Sequence, residues 1–468
     1  MVLACCGYAY PAVIDDARSL YQEGEYEKVV KILAPAVKKT PKDGNVTYYL
    51  GASLYELGNA DEAEAYLTVA QSRNVADASR ILALISLERY DPSAAQSYCD
   101  KWEELLKKQK KSVPDEFSSL SSKIIQMQNM LDRVERIEII DTLLVDKNTF
   151  FKAYRLSSTA GRLLPADALS SFGAGTDADQ LSVAYIPENR SELLWAAAEA
   201  NGRFGLYSAD ILDDGTIDHT TRLDDSLGDG GDAMFPFLMP DGMTLYFANN
   251  GDNTLGGYDI FMTRRTDSEN GKEYFTPQNV GLPYNSPYDD YLLAIDEASG
   301  LGWWASDRNQ ISDKVTIYIF APSKMRINAD PSDPNLRQLA SLADLAVTQK
   351  EGVDYKSLLA SRLPEETVAV VDINMSPKFR LDMGNGRVYT KLSDFSNERA
   401  RMAMLEVLSA EVTLRKHLEA ENRMRDQYRR GDKTVADAIL ASEQQTDKLR
   451  QQIATQRNTA VRLETKNS

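Results

Sequence analysis

Histidine and cysteine are rare in this chain of 468 residues, which contains two histidines and three cysteines. A Ser-His-Asp triad or a typical zinc site would need His219, which the pattern places in a loop, or His417, which it places on a charged helix. The phosphate-binding pattern G-x-x-x-x-G-K-S/T, a G-x-G-x-x-G after a strand, the G-x-S-x-G elbow and the zinc motif H-E-x-x-H are all missing. We therefore expect a protein that is not an enzyme and that uses no cofactor or metal.

Positive charge is also in deficit, with 53 basic against 70 acidic residues and a net charge of −17. Nucleic-acid surfaces need clustered Lys and Arg, so this balance argues against such a partner. The basic run at 107–111 is interpreted as a helix C-terminus rather than a polyanion site. No segment approaches the roughly 18 apolar residues of a transmembrane helix. With 43% hydrophobic residues, the chain is long enough for two to four domains with cores of their own.

The N-terminal residues resemble the end of an export signal. Residues 1–9 are apolar and small, which predicts the remnant of a signal peptide whose positive and apolar upstream parts are absent. Ordinary cleavage after Ala9 is one alternative, and lipidation of Cys5 in an imperfect lipobox is the other. Cys99 is expected to be a small buried residue, so no disulfide framework is predicted. Both routes predict an exported protein, either periplasmic or associated with the outer membrane, and a cytoplasmic N-terminus is the remaining alternative.

A regular repeat marks the first domain. Five positions of one unit recur at a constant spacing in the next, and they are Gly24, Tyr26, Val29, Leu33 and Ala36 followed by Gly58, Ala60, Ala63, Leu67 and Ala70. The spacing is that of the tetratricopeptide repeat (TPR), a pair of helices whose small residues allow close packing. A shortened third unit at 77–108 and an amphipathic stretch at 117–139 complete the predicted α-solenoid over 12–136. Because each unit buries its apolar face only against a neighbour, we expect this short stack to dock onto the next domain.

The most informative stretch is 235–261, which has the turns and strands of most of a β-propeller blade. Pro240-Asp241-Gly242 predicts a turn, 245–247 an aromatic strand, and Gly256-Gly257 a second turn before another strand. Related patterns occur around Trp195 and Trp304, which lie at similar distances along the chain before and after Phe247. Adding strand patterns at 137–156 and at 368–392 gives a β-propeller of five or six blades over 137–395.

Two helical regions accompany these strands. Leucines over about 330–363 predict a helical insertion within the propeller, after which a hairpin at 368–392 serves as a final blade or as the closing strand. From 396 to 468 the chain is almost free of Gly and Pro and carries apolar stripes that begin at Leu405. This tail predicts a helical hairpin or a coiled coil, which either docks on the same chain or pairs with another copy.

Two loops are candidate sites. Tyr284, Tyr288 and Tyr291 form a tyrosine-rich loop that we interpret as a contact surface for a protein partner. The acidic, Gly-rich loop at 224–232 is a hypothetical calcium loop, but it lacks EF-hand spacing and is more typical of a solvated connection. Blade packing accounts for the aromatic residues of the repeated strands. Helix packing mainly accounts for the tyrosines at 48–55, although a concave TPR face can hold an extended peptide. No spacing fixes a pair of catalytic carboxylates.

The propeller pattern resembles the WD40-like (PD40), TolB-type repeat, in which a PDG turn precedes an L-Y-F-x-S/A-N strand and a GG-x-D-I-Y strand follows. The order of TPR, propeller and helical tail is similar to that of cell-envelope proteins, including type IX secretion and gliding proteins. Many of those end in an OmpA-type domain, for which residues after 395 lack the α/β pattern. The resemblance implies a scaffold or adaptor that binds protein partners in the bacterial envelope. The alternative is a ligand-binding protein or hydrolase that uses the propeller channel on an envelope glycan or peptide.

Overall fold

The computed structural model describes residues 10–165, 168–169, 183–188, 191–212, 217–268, 271–363, 379, 381–383, 387–390, 392–429 and 433–465. Cys5 and the predicted signal remnant at 1–9 therefore lie outside the described residues, as do the predicted strand at 368–372 and the turn at 384–386. Within the described part, no helix combines the length and apolarity needed to cross a membrane.

Seven helices form the N-terminal module. They are α1 (Tyr10–Gln22), α2 (Tyr26–Lys39), α3 (Gly44–Glu56), α4 (Ala60–Ser72), α5 (Ala76–Glu88), α6 (Pro92–Lys108) and α7 (Asp115–Leu131). The Asp43 side chain caps α3 by accepting from two backbone N–H groups, and Asp91 caps α6 ahead of Pro92 at its first turn. Helices of 13 to 17 residues joined by short turns confirm the predicted helical repeats.

Small residues hold consecutive helices together. A Cβ at Gly51 of α3 would lie 2.9 Å from the side chain of Leu67, so only glycine permits this approach to α4. Ala63 and Ala70 are fully buried at the same contact. Cys99, a free cysteine, is also fully buried and lies beside Trp102 in the next helix pair. Small residues that recur at the repeat spacing therefore lie where consecutive helices pack closely.

Strands fill the middle of the chain. They are β1 (Glu138–Asp146), β2 (Arg162–Pro165), β3 (Val183–Ile186), β4 (Glu192–Ala198), β5 (Phe204–Ile211), β6 (Ile217–Arg222), β7 (Ala233–Leu238), β8 (Thr244–Asn249), β9 (Asp259–Ser268), β10 (Gly271–Tyr274), β11 (Gln278–Asn279), β12 (Asp290–Asp296), β13 (Leu301–Ser306) and β14 (Lys314–Ala321). They form three antiparallel sheets. The orders are β2-β3-β4-β5-β6, β7-β8-β9-β10 with β11 also on β9, and β12-β13-β14-β1.

A repeated contact joins each sheet to the next. Asp232, just before β7, accepts a hydrogen bond of 2.9 Å from the backbone N–H of Phe204 in the first sheet. Asp289, just before β12, accepts one of 2.9 Å from the N–H of Tyr258 in the second sheet. The two acceptors are separated along the chain by about the spacing found between Trp195, Phe247 and Trp304, and the two donors are separated by a similar distance. The first and second sheets and the second and third sheets are therefore joined by the same kind of hydrogen bond.

The number of sheets differs from the prediction of five or six blades. The described residues contain three sheets of four or five strands, and no closed ring is identified among them. One reason is β1, which was predicted to start a blade of its own but pairs along its length with β14 as the outer strand of the third sheet. The centre of the module is filled by aromatic rings, with Phe150 and Phe235 5.8 Å apart and Phe235 and Tyr291 5.4 Å apart.

Short helices follow the sheets. Between 322 and 363 the structure has α8 (Leu336–Ser341), a 3-10 helix at Leu345–Thr348 and α9 (Tyr355–Arg362). Leu358, Leu359 and Leu363 pack on the sheets, and Arg362 donates to the carbonyl of Gly300 at 2.9 Å. This segment thus covers one side of the sheet module.

The C-terminal part forms a small module with its own core. Two strands, β15 (Leu381–Asp382) and β16 (Val388–Tyr389), pair beside α10 (Glu398–Arg429) and α11 (Ala436–Thr465). The helices are antiparallel, since Glu421 contacts Thr446 whereas Glu464 accepts from Ser396. The hairpin predicted to complete the propeller packs on these helices instead, because Leu381 and Met383 share a core with Met404.

Candidate protein-interaction site

The best candidate site lies on the helical module, on the layer formed by α1, α3, α5 and α7, which lie side by side. Four half-buried tyrosines lie on α1 and α3, and a fifth, Tyr26 at the start of α2, contacts them. We call the five the tyrosine face: Tyr21, Tyr26, Tyr48, Tyr49 and Tyr55. A tyrosine offers a large, stiff apolar ring with a hydrogen-bonding tip, so this composition is typical of protein-binding surfaces.

Edge-to-face ring contacts organise the tyrosine face. Ring centroids are 5.4 Å apart for Tyr21 and Tyr26, 5.8 Å for Tyr21 and Tyr49, and 5.1 Å for Tyr48 and Tyr49. Arg18 donates a hydrogen bond of 2.9 Å to the Tyr49 hydroxyl. Partial burial and the nearby Glu56 raise the pKa of Tyr21 to about 12, so its hydroxyl stays neutral at physiological pH. The rings are therefore held in place while one side of each remains open.

The sheet module closes one end of this face. Tyr55 donates a hydrogen bond of 2.6 Å to Glu88, whose carboxylate also interacts with the hydroxyl of Tyr288 from the loop before β12. Burial raises the pKa of Glu88, and the two hydroxyls oppose that shift. A single carboxylate thus connects the tyrosine face to the sheet module.

Further contacts fix the two modules together. Lys123 of α7 donates to the carbonyl of Gly256 at 2.9 Å, and Gln126 donates to that of Asn253 at 2.6 Å. An apolar cluster spans the same junction, with Trp102 and Met127 from the helices and Leu282 from the sheet module. Within the sheet module, a Cβ at Gly256 would lie 2.0 Å from the carbonyl oxygen of Tyr288, so the two loops that face the helices pack at backbone distance. The helical module is docked, as the sequence argument expected of a short repeat stack.

The predicted tyrosine loop is corrected by its placement. Tyr284 is 8% exposed and packs edge-on against Trp304 and Phe320, while Tyr291 is 3% exposed in the core. Tyr288 is half-buried and belongs to the junction with Glu88. The three rings therefore contact other residues of the same chain, because the helical module covers this loop.

The acidic loop at 224–232 does not gather its carboxylates around one point. Asp224 accepts from the N–H of Ser226, and Asp225 pairs with Arg222. Asp229 accepts from Asn253, whereas Asp232 accepts from Tyr258 at 3.0 Å. No group of three His, Cys, Asp or Glu suited to a metal occurs among the residues that the structure describes.

Catalytic candidates are similarly dispersed. His219, with a side chain 75% exposed, bonds to Asp210 at 3.1 Å on the outer strand pair of the first sheet. His417 lies on α10, in the C-terminal module. Aromatic rings occupy the centre of the sheets, where the alternative function would have placed a ligand channel. Lys147 there pairs with Asp307 at 3.2 Å and lies 5.4 Å from the ring centre of Tyr291.

The contact between Glu88 and Tyr288 was not predicted from the sequence, because two residues so far apart in the chain leave no local pattern. It also assigned the tyrosines at 48, 49 and 55 mainly to helix packing. Their spacing on α3 was the available signal, because residues 48 and 55 lie two turns apart on one helix face.

Comparison with known proteins agrees with the helical part. Residues 20–88 match the model of the tetratricopeptide repeat family, which covers the tyrosine face and most of its supporting helices. None of the curated proteins compared with the chain matches it. The N-terminal segment is thus similar to TPR domains, which generally mediate protein–protein interactions.

Proposed function

We propose that this protein is a non-catalytic scaffold or adaptor of the bacterial cell envelope that binds a protein partner on the tyrosine face. The observation that carries the proposal is a group of five half-buried tyrosines on the first three helices of a TPR-like module, closed at one end by Tyr288. Docking onto the sheet module holds this face rigid, which lowers the ordering cost of binding.

The envelope setting rests on sequence resemblance. One kind of contact joins each of the three antiparallel sheets to the next, which supports a TolB-like propeller, and the order of domains is similar to that of envelope proteins. The remnant at 1–9 supports export, by cleavage or through lipidation of Cys5. The C-terminal helices supply an assembly element within this proposal.

The test compares partner recovery with the full-length protein and two matched variants. Tagged protein would be crosslinked in the native host, and complexes would be recovered separately from detergent-solubilised envelope and from the soluble fraction. We expect Tyr49→Ala to lose a partner that Tyr66→Ala keeps, because Tyr66 is equally half-buried but lies on α4 in the other helix layer.

Two results would overturn the proposal. Equal recovery by both variants would show that the tyrosine face binds nothing. Recovery of the same partner from the soluble fraction alone would remove the envelope setting while leaving the scaffold function intact.

A further inference from the structure

A second surface, which none of the five tyrosines lines, is a groove between α7 and the second sheet. The groove has a volume of 1110 Å³. Pockets for small molecules hold roughly 300–1,000 Å³, so this groove is at the upper end of that range or slightly beyond it. One wall is the exposed side of α7, including Ile125 and Asn129, and the other is formed by loops of the second sheet and by β11.

The groove is lined mainly by neutral polar groups. Seven of its lining residues are Asn or Gln, whereas four are charged, two of each sign. Of these four, Arg326 is held by Glu135 and backbone carbonyls, and Asp229 by Asn253. A carboxamide both donates and accepts, as a peptide group does, so this lining matches an uncharged polypeptide better than a charged polymer.

One edge of the second sheet faces the groove. β11 pairs with β9 on one side only, and the Val280 N–H next to it donates to the carbonyl of Ile260 at 3.1 Å. Backbone groups alternate in direction along an antiparallel ladder, so the N–H and carbonyl of Asn279 point away from β9. Such an edge can accept a further strand.

The opposite wall offers an apolar contact. Ile125 of α7 is 60% exposed, although its neighbours Ile124 and Met127 are buried in the junction. The side chains of Asn129 and Gln278, on opposite walls, form no hydrogen bond within the described residues. The bonds from Lys123 and Gln126 to the facing loop fix the spacing of the two walls.

We propose that this groove binds an extended, uncharged segment of a partner protein, which adds as a strand beside β11 and places apolar side chains against Ile125. We prefer a polypeptide to a glycan because the open backbone edge of β11 and the exposed Ile125 match a strand with apolar side chains, whereas a sugar ring would also find no aromatic face to stack on in the lining. Phe261, the aromatic residue of the lining, is only 3% exposed. This site goes beyond the proposed function, since none of the five tyrosines lines it.

The experiment uses the full-length protein and phage-displayed random dodecapeptides, followed by fluorescence anisotropy with each selected peptide. We expect peptides of low net charge whose affinity falls roughly tenfold or more with Ile125→Arg. Ile311→Arg is the matched control, because Ile311 is 45% exposed in the β13–β14 loop and should leave the affinity unchanged. Circular dichroism would check that both variants fold.

Strand addition has a specific signature. N-methylation at alternate peptide residues should abolish binding in one register and leave it unchanged in the other, since only alternate N–H groups face β11. Equal tolerance of both registers would overturn the proposed binding mode.

Other outcomes are equally decisive. Selection of highly charged peptides, failure to select any peptide, or binding of soluble peptidoglycan fragments that Ile125→Arg abolishes would overturn the proposal. Peptides that depend on Tyr49 but not on Ile125 would contradict this site while supporting the proposed function.

Discussion

The helical and sheet modules use aromatic residues in opposite ways. In the sheets, the tryptophans Trp303 and Trp304 and the ring of Phe235 are at most 1% exposed. In the first two helical repeats, the aromatic residues are tyrosines that remain half-buried. Alanine, leucine and valine fill the core between these helices, and the tyrosines pack against that core while part of each ring stays exposed. Aromatic residues thus stabilise one module and are available for binding in the other.

The largest effect is expected in the sheet module. Trp303 is fully buried and its ring lies 6.4 Å from that of Tyr154. Trp303→Ala should lower the free energy of unfolding by about 3–5 kcal/mol, because it leaves a cavity among rigid neighbours. Chemical denaturation followed by tryptophan fluorescence and circular dichroism would measure this loss. A change below about 1 kcal/mol would show that the sheet core is loosely packed.

A pH effect should arise where the two modules meet. Burial raises the pKa of Asp259 to about 7, although the N–H groups of Leu255 and Gly256 donate to it. An unfolded Asp titrates near 3.8. Between these values the folded state keeps a proton that the unfolded chain has lost. Stabilisation is therefore full below about pH 4 and is lost as pH rises through 7, by an amount on the order of a few kcal/mol.

Asp259→Asn isolates this contribution. The free energy of unfolding of the variant should fall less between pH 4 and 7 than that of the unchanged protein, as measured by urea denaturation at each pH. Identical slopes for the two proteins would show that Asp259 is ionised throughout.

A substitution at the contact between the helical and sheet modules should have a smaller effect on the free energy of unfolding. Tyr288→Phe removes the hydroxyl that interacts with Glu88 and should cost about 0.5–1.5 kcal/mol. A double-mutant cycle with Glu88→Gln would measure the coupling between the two side chains. Strict additivity would show that the hydroxyl does not help to hold the modules together.

The smallest effect on stability is expected on the tyrosine face. Tyr49→Ala should change the free energy of unfolding by about 1 kcal/mol or less, because its ring is half-exposed. Partner affinity should nevertheless fall roughly tenfold or more. Thermal unfolding and titration with the recovered partner would test the two parts, with Tyr66→Ala as the control. A large stability loss without a loss of affinity would reverse the comparison between the modules.

Repeats were the part of the fold that local sequence revealed. The constant spacing of small residues predicted helix pairs that the structure contains, and the PDG turn at 240–242 lies between β7 and β8 as expected. The number of sheets could not be predicted from local sequence patterns. β1 pairs with strands that begin only at Asp290, after all the strands of the first two sheets. The hairpin after residue 379 is a second example. Its sequence predicts strands, but it does not reveal that these strands pack on α10 rather than on the sheets.

The candidate site shows a similar division. The loop at 284–291 was predicted as a contact surface from its tyrosine content alone, but two of its three tyrosines are buried in the core. The tyrosines of α3 were assigned to packing, and only their exposure made them a candidate surface.

The sequence by itself determined the repeating units, the positions of small residues between helices and the absence of familiar catalytic motifs, because these depend on spacing along the chain. The tertiary structure decided which aromatic rings are buried, which strand completes the third sheet and where Glu88 meets Tyr288. These features depend on contacts between distant segments, and the free energy of such contacts comes from burial that no local pattern encodes.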